Sequence, residues 1–298
     1  MRAAPASLPP GRRPVILRAM DLLPRRARPG LGVLAFLLLS ACGRPGDTRG
    51  EDLWQRSTIH RARKAGKLVV LMEAEFRPFT WKDAGTLRGF DVDLAREIGA
   101  ALGVPVEFRE RAFQLLASEL IEGRGDLVIS GVTATPERAL ECSFSDPYFL
   151  TRTIALLAVP RAAGVRGAAD LDDAARTVVV QKGSTGETAT RRRLPRAHLV
   201  TLDTESLCAL EVAQGRADAF VYDEYQVRAH HAQHLEATRV LDETLSVEPY
   251  GIECRKGEPD TLAWLNLVVA TMRRDGRIAD LYRKHLPGIP VPAELAPP

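Results

Sequence analysis

The sequence predicts an α/β protein of two lobes, each built on a mainly parallel sheet flanked by helices. Strands and helices alternate along residues 67–130, and this βαβαβ order is typical of a parallel sheet covered by helices. The same order returns along residues 177–222. A short internal repeat supports two equivalent lobes, because Gly-Arg-Gly-Asp-Leu-Val-Ile at 123–129 matches Gly-Arg-Ala-Asp-Ala-Phe-Val at 215–221.

The first lobe is predicted to hold three strands and two helices. The strands cover residues 67–72, 104–108 and 126–130. Asp91 is expected to cap the first helix, whose apolar residues recur every four positions before Gly103 ends it. The second helix covers residues 113–122. A loop that carries Phe76, Phe79 and Trp81 follows the first strand.

The second lobe repeats the pattern. Its predicted strands cover residues 177–181, 199–202 and 219–222. One helix follows the loop at 182–187, and a second covers 204–214. A last amphipathic helix, residues 259–274, follows a strand that returns toward the first lobe.

Two extended segments, near 152–159 and 247–254, are the predicted connections between the lobes. They place residues 63–155 and 251–298 in the first lobe and residues 156–250 in the second.

The N-terminal segment has the features of a secretory signal. Residues 1–41 hold seven arginines and one acid, and an apolar run at 31–39 is too short to span a bilayer. Leu39-Ser40-Ala41-Cys42 resembles a bacterial lipobox, which implies cleavage after residue 41 and a lipid on Cys42. Residues 42–62 are then the lipidated cysteine and a flexible tether, and Met20 is an alternative start.

The net charge of the whole chain is misleading. It is +3, but the excess of arginines at 1–41 accounts for more than that and leaves about −3 for the rest. The globular part therefore lacks the excess of basic residues that is typical of nucleic-acid-binding proteins.

Cysteine and histidine offer little support for a metal or redox site. Cys142, Cys208 and Cys254 are odd in number and lie in apolar contexts, so we expect small buried side chains. His230, His231 and His234 have helical spacing that zinc could use, although a solvated helix face is the favoured interpretation.

The stretch 129–138 is the strongest site signal. An apolar strand end is followed by a small polar turn, and Thr135 with Pro136 indicates a helix start. Arg138 would then lie in the first turn, beside the positive end of the helix dipole, where an anion is needed between them. Backbone N–H groups, hydroxyls and one guanidinium suit a carboxylate. The alternative is a solvated arginine.

Ligands in such sheets bind beyond the carboxyl ends of strands. Those ends carry Glu73 and Phe76, then Ser130 to Thr133 with Arg138, and in the second lobe Gly183 to Thr185 and Asp223. Arg138 suits a carboxylate, Asp223 suits an ammonium, and Phe76 with Phe113 or Trp81 suits an apolar stem. Together they predict an α-amino acid held between the lobes.

Several motifs, in this order and spacing, resemble the polar amino-acid class of family 3 solute-binding proteins of ABC transporters. They are Lys67-Leu68-Val69-Val70, Gly89-Phe90-Asp91-Val92-Asp93-Leu94, Gly131-Val132-Thr133 with Glu137-Arg138, Phe144-Ser145-Asp146-Pro147-Tyr148, Gly215-Arg216-Ala217-Asp218-Ala219 and Tyr250-Gly251-Ile252. The resemblance implies the two-lobed type II periplasmic-binding-protein fold with two hinge strands. It also implies a monomeric protein outside the cytoplasm that delivers an amino acid to an ABC permease, and the lipobox adds a lipid anchor on the membrane.

The resemblance also implies roles for individual residues. Arg138 would bind the α-carboxylate with main chain near Gly131 and Thr133, and Ser184 and Thr185 would complete that seat. Asp223 would take the α-amino group, and Glu73, Phe76 and Gln181 would face the side chain. The predicted ligand site, without catalytic residue, cofactor or metal, is Glu73, Phe76, Phe113, Ser130, Gly131, Thr133, Arg138, Gln181, Ser184, Thr185 and Asp223.

Alternatives remain at this point. Glu73 could only pair with an arginine, Phe76 could be core, and Asp223 could only cap a helix. A cyclohexadienyl dehydratase has the same fold and would use Glu73 as its acid. A sensing module would continue into a membrane helix and a signalling domain beyond Pro298, so we expect transport. Glu73 favours a cationic or hydrogen-bond-donating side chain and disfavours glutamate and aspartate.

Overall fold

The computed structural model describes residues 54–296. The predicted signal, Cys42 and the first part of the tether lie outside the described residues. The strands are β1 Leu68–Met72, β2 Trp81–Asp83, β3 Thr86–Arg88, β4 Val106–Glu110, β5 Leu127–Val128, β6 Cys142–Phe144, β7 Phe149–Ala158, β8 Thr177–Gln181, β9 His198–Leu202, β10 Ala219–Asp223, β11 Thr238–Tyr250 and β12 Glu253–Arg255.

The helices alternate with these strands. They are α1 Thr58–Ala65, α2 Phe90–Leu102, α3 Leu116–Ile121, α4 Thr185–Arg193, α5 Glu205–Ala213, α6 Glu224–Gln233, α7 Pro259–Arg274 and α8 Arg277–His285. Short 3-10 helices cover Phe113–Leu115, Arg138–Leu140 and Ala168–Leu171. None of the helices within residues 54–296 has the length and apolarity needed to cross a membrane.

Each lobe contains one five-stranded sheet, which confirms the predicted α/β architecture. The first sheet has the order β4-β1-β5-β12-β6, and the second has the order β11-β7-β10-β8-β9. The prediction of mainly parallel sheets was wrong. In each sheet one half is parallel and the other antiparallel, since β12 pairs antiparallel with β5 and β6, and β7 with β10 and β11. These antiparallel strands flank the two crossings, which are the points where the chain passes from one lobe to the other. At each crossing, β6 to β7 and β11 to β12, two strands follow each other without a helix between them.

The two connections between lobes cross side by side. Ser145 N donates to Ile252 O and Tyr148 N donates to Tyr250 O, both at 3.0 Å. The crossing therefore precedes β7, which pairs along its length in the second sheet. The predicted connection at 247–254 contains its crossing, whereas the one at 152–159 comes too late in the chain. On sheet membership we propose residue 148 instead of 155 as the end of the first segment of lobe 1.

A buried aromatic cluster fills the junction of the lobes. Phe149 lies at its centre, with ring centroids 4.7 Å from Phe79, 5.5 Å from Tyr250 and 4.7 Å from Tyr282. All four rings are fully buried. Each such pair contributes about 0.5 to 1.5 kcal/mol beyond its area. The cluster gives the crossing strands a rigid base under the candidate site.

The predicted tether is too long at its C-terminal end. Ser57 caps α1 by accepting a hydrogen bond from His60 N, and Ile59 and Ala62 of α1 are buried. Their burial against the first lobe makes a helix more favourable than a flexible chain from Thr58 onward.

Candidate functional site

The turn after β5 is built around Gly131. Its φ of 58° lies in the left-handed region, and a Cβ here would approach Phe76 Cε1 to 2.2 Å. Gly131 N donates to Asp91 Oδ2 at 2.7 Å. Asp91 is therefore not the helix cap that the sequence predicted. Gly89 precedes α2 without a side-chain cap bond, and Asp91 instead fixes the turn that carries the site.

Arg138 connects the two lobes. Its Nη1 donates to Thr133 O and its Nη2 to Gly183 O, each at 2.9 Å. The guanidinium also lies 5.6 Å from the ring centroid of half-buried Phe113. The alternative of a purely solvated Arg138 on a helix surface does not agree with these contacts, which place its guanidinium between the lobes.

The helix predicted from Thr135 is a single 3-10 turn. Thr135 Oγ1 does accept from Arg138 N, at 3.2 Å, as a cap would. The chain then enters β6 at Cys142, which pairs with β12. Sheet pairing therefore ends the turn before an α-helix can develop, and it leaves Arg138 directed at the second lobe.

The second-lobe loop completes this side of the cleft. Ser184 caps α4, since its Oγ accepts from Glu187 N at 3.2 Å. Thr185 is the first residue of α4, and it lines a cavity of about 340 Å³ with Thr133 and Glu248. The positive end of a nine-residue helix thus faces the segment that carries Arg138.

Asp223 is a buried carboxyl with an unused oxygen. It ends β10, and its Oδ1 has no hydrogen-bond partner within the described residues. Its side chain makes no cap bond to α6, so the helix-cap alternative is wrong. Burial, and then the nearby Glu248 carboxylate, raise the pKa of Asp223 well above its usual range. Such a group gains from a cation placed beside it.

Glu73 meets the second lobe through an amide. Gln181 Nε2 donates to Glu73 Oε1 at 3.0 Å, and the hydroxyl of Tyr222 donates to Gln181 Oε1. Ser130 Oγ accepts from the backbone N of Glu73 at 2.9 Å. Burial, and then the charge of Glu205, raise the pKa of Glu73 to about 8. Glu73 makes no ion pair with an arginine in the part of the chain described.

Replacing Glu73 with glutamine is expected to flatten the loss of stability with rising pH. The folded pKa of about 8 exceeds the ordinary 4.5, so the folded protein holds more protons than the unfolded chain between these pH values. Stability must then fall as pH rises through this window. We expect Glu73→Gln to gain melting temperature over the original protein as the pH rises. From pH 5 to pH 8.5 the difference between the two melting temperatures should grow by about 4 to 8 °C, which corresponds to about 2 kcal/mol in the free energy of unfolding.

Differential scanning calorimetry at several pH values measures this change. Glu122→Gln is the matched control, because Glu122 is exposed and pairs with Arg124. Equal pH profiles for Glu73→Gln and the original protein would contradict the raised pKa.

The aromatic residues divide into core and cleft. Phe76 is buried, stacks on Phe79 at 5.1 Å and meets the edge of Tyr222 at 6.2 Å. It is thus part of the core as well as a neighbour of Gly131. Phe113 stands against Arg138, whereas Trp81 lies under the guanidinium of Arg77, 4.8 Å from its ring centroid.

Sequence reasoning missed several buried acids near the cleft. Glu248 accepts from Thr133 Oγ1 at 2.7 Å. Glu205 and Glu253 are buried, and each has an Oε2 without a hydrogen-bond partner. Burial raises the pKa of Glu253 to about 7. Nothing in their local sequence marks these residues, since a Glu at a helix start or within a strand is commonly exposed. The site is thus rich in carboxyl groups and suits a ligand with positive charge.

The cysteines are buried, and two of the three histidines on and after α6 contact or lie near side chains of the second lobe. Cys142, Cys208 and Cys254 are buried and unpaired, which confirms the prediction of small buried side chains. His231 Nδ1 lies 3.0 Å from Thr238 Oγ1, while His230 lies near Glu205. Across residues 54–296, no group of three or more His, Cys, Asp or Glu side chains is placed to hold a metal ion.

Comparison with known proteins identifies the family. The family model for bacterial extracellular solute-binding proteins, family 3, matches residues 68–288. A protein of Neisseria gonorrhoeae, described as a probable histidine-binding protein, is 30% identical over 256 residues, which cover 84% of this chain and 91% of that protein.

Solved structures agree with the two-lobed fold. The ancestral amino acid-binding protein AncCDT-1, a precursor of cyclohexadienyl dehydratase, is 36% identical with a TM-score of 0.70, over 77% of this chain and 99% of that one. An ancestral arginine-binding protein bound to arginine is 36% identical with a TM-score of 0.69, over 74% of this chain and 98% of that one. The type II periplasmic-binding-protein fold is thereby confirmed, and the chain belongs to the bacterial extracellular solute-binding proteins of family 3.

Proposed function

We propose that this protein captures one amino acid between its lobes and delivers it to an ABC permease. The observation that carries the proposal is the charge arrangement across the cleft. Arg138 reaches main-chain groups of both lobes, and the buried Asp223 has an oxygen free of hydrogen bonds within the described residues. A zwitterion offers a carboxylate to the first and an ammonium to the second.

The remaining predicted residues take supporting roles in this proposal. Thr185 and the start of α4 complete the carboxylate seat with Arg138. Ser130 and Gly131 act through the turn, because the Ser130 hydroxyl accepts from Glu73 N and the Gly131 N–H is bonded to Asp91. Phe113 packs beside the ligand, and Glu73 with Gln181 faces its side chain.

Closure is proposed to be a hinge motion at the paired crossings. Hydrogen bonds that join the lobes away from the crossings include Arg138 to Gly183 O, Gln181 to Glu73, and Gln226 Nε2 to Arg77 O at 2.9 Å. Beside the crossings, Thr133 Oγ1 donates to Glu248 and Ala134 N donates to Pro249 O. A ligand that contacts both lobes would favour the same closed arrangement. The ligand class is proposed to be polar or basic, given the surrounding acids and the relatives named for histidine and arginine.

A thermal-shift screen of the purified full-length protein against the twenty amino acids tests the proposal. A ligand at a hundred times its Kd stabilises the folded state by about 2.7 kcal/mol, so the melting temperature must rise. We expect a rise with polar or basic amino acids that is lost in Arg138→Ala and Asp223→Ala. No rise with any amino acid, together with conversion of prephenate or arogenate, would favour the enzyme, for which the raised pKa of Glu73 is the supporting observation.

The lipid anchor is a separate proposal that rests on Leu39-Ser40-Ala41-Cys42. We expect Cys42→Ser to move the protein from the membrane fraction to the soluble fraction of the cell, and to stop incorporation of labelled fatty acid. Cys208→Ser, at a buried position, serves as the control for loss of a cysteine. Equal membrane association of Cys42→Ser and the original protein would overturn the proposal.

A further inference from the structure

Glu205 is a buried acid whose role the fold alone does not require. It is the first residue of α5, and only 6% of its surface is exposed. Its Oε2 accepts no hydrogen bond within the described residues, and His230 Nε2 lies 3.7 Å away, beyond hydrogen-bonding distance. The positive end of the helix dipole stabilises a negatively charged side chain at a helix start. Burial of a carboxyl oxygen without a hydrogen-bond partner adds a desolvation cost that opposes this benefit, so the position calls for another explanation.

Glu205 lines a cavity of about 440 Å³ between the lobes. The first lobe contributes Glu75 and Trp81 to its wall, and the second contributes Gln226 and His230. Glu73 lines a neighbouring cavity with Glu75 and with Thr204, the residue before Glu205, and Glu75 lines both cavities. The cavity of Glu205 therefore adjoins the side-chain end of the candidate site.

The cations of this wall already have partners. Lys82 Nζ lies 2.7 Å from Glu110, and the guanidinium of Arg77 lies over the ring of Trp81. They therefore leave the carboxyls of Glu73 and Glu205 without an arginine or lysine partner in the part of the chain described, and the nearest imidazole to Glu205 is that of His230, at 3.7 Å.

We propose that Glu205 is a second acidic contact for the ligand side chain, and that the site takes an amino acid with a long side chain ending in a cation. The inference rests on the proposed function. A distal cation between Glu73 and Glu205 would neutralise two carboxyls that otherwise repel each other. A guanidinium fits best, because its planar fork presents five N–H donors and can contact both acids at once.

Calorimetric titration of the full-length protein with L-arginine and L-citrulline tests the inference. The two ligands have the same length, but citrulline carries a neutral ureido group in place of the guanidinium. We expect arginine to bind about a hundredfold tighter than citrulline. Glu205→Gln should weaken arginine binding by about ten- to fiftyfold and citrulline binding by less than about threefold.

Two further variants keep the test independent of folding defects. Glu211→Gln makes the same substitution on α5 at a residue that pairs with Arg216, and it should change neither affinity. Glu205→Asp keeps the charge on a shorter side chain and should retain part of the preference. An arginine-to-citrulline ratio unchanged in Glu205→Gln would overturn the inference.

Proton release gives a second readout that a structural role would not move. Burial raises the pKa of both Glu73 and Glu205, so a cation that binds them should drive protons into the buffer. The titratable and charged groups around Glu205 are Glu73, Cys208, Tyr222 and Asp223, together with Glu75, Arg77, Lys82, Glu110 and His230 of the cavity wall. Titrations near pH 7 in two buffers of different ionisation enthalpy should show less release on arginine binding for Glu205→Gln than for the original protein. Equal release would contradict the inference.

The outcomes separate this inference from the function beneath it. Absence of binding by every amino acid would overturn both. Binding that requires Arg138 and Asp223 but ignores the charge at position 205 would overturn the inference and leave the proposed function standing.

Discussion

Replacing Arg138 with alanine is expected to weaken binding of the amino acid by a hundredfold or more. Removal of one partner from a buried, hydrogen-bonded ion pair costs about 2 to 5 kcal/mol. Arg138 is also held in place by Thr133 O and Gly183 O, so its guanidinium is already oriented for a carboxylate. Isothermal titration with the best ligand from the amino-acid screen measures the loss.

Arg191→Ala is the matched control for Arg138→Ala. Arg191 lies on α4, pairs with Glu187 at 2.7 Å and has a largely exposed side chain, so its removal should leave the affinity unchanged. A ligand amide that lacks the carboxylate makes the test specific. It should bind the original protein weakly and lose little more in Arg138→Ala, because the two changes remove the same interaction. Equal further loss with the amide would show that Arg138 acts elsewhere.

Replacing Asp223 with asparagine is expected to have opposite effects on binding and on stability. Binding should weaken by about ten- to a hundredfold, because the ammonium of the ligand loses its charged partner. The unliganded protein should gain about 1 to 3 kcal/mol near pH 8, because the variant has no buried carboxyl group that must either keep its proton or carry a charge beside Glu248.

The pH dependence of this gain has a defined sign. The pKa of Asp223 is raised in the folded protein, so the folded state holds the extra proton and stability falls as pH rises above the unfolded pKa of about 4. The advantage of asparagine should therefore grow with pH in denaturant titrations. Asp83→Asn, at an exposed residue that pairs with Arg88, should show no such trend. Destabilisation of Asp223→Asn at every pH would refute the interpretation of Asp223 as a strained binding group.

Local sequence patterns predicted those strands and helices whose apolar pattern and end signals lie within their own sequence. The predicted strand at 177–181 and the helix at 259–274 have the bounds of β8 and α7. Both have a clear apolar pattern and clear ends. The helix expected from Thr135 failed because β6 pairs with β12, residues more than a hundred positions apart. A local cap signal cannot compete with a strand pairing that only the folded chain reveals.

The site shows the same limit. Arg138, Asp223 and Glu73 could be grouped from the sequence because the carboxyl ends of strands gather at one edge of a sheet. Gln181 entered the predicted site only through the family resemblance. The roles of Asp91, Glu205 and Glu248 could not be predicted. These residues lie at helix starts and on a long strand, and only the folded structure shows that their carboxyl groups are buried. Asp91 is the clearest case, because the feature that suggested a cap is the same carboxylate that binds Gly131 N across the first lobe.

The Gly183 carbonyl, which accepts a hydrogen bond from Arg138, competes with a ligand carboxylate for the same N–H group. A ligand carboxylate that takes the Nη2 N–H now bonded to this oxygen exchanges one contact for another, so the net gain from that N–H is the difference between the two contacts. When the ligand leaves, the carbonyl can return at once, so the empty guanidinium is not stranded in a low-dielectric cleft. Such exchange lowers the barrier to release and moderates affinity. A carrier that gives up its cargo at every cycle gains from both effects.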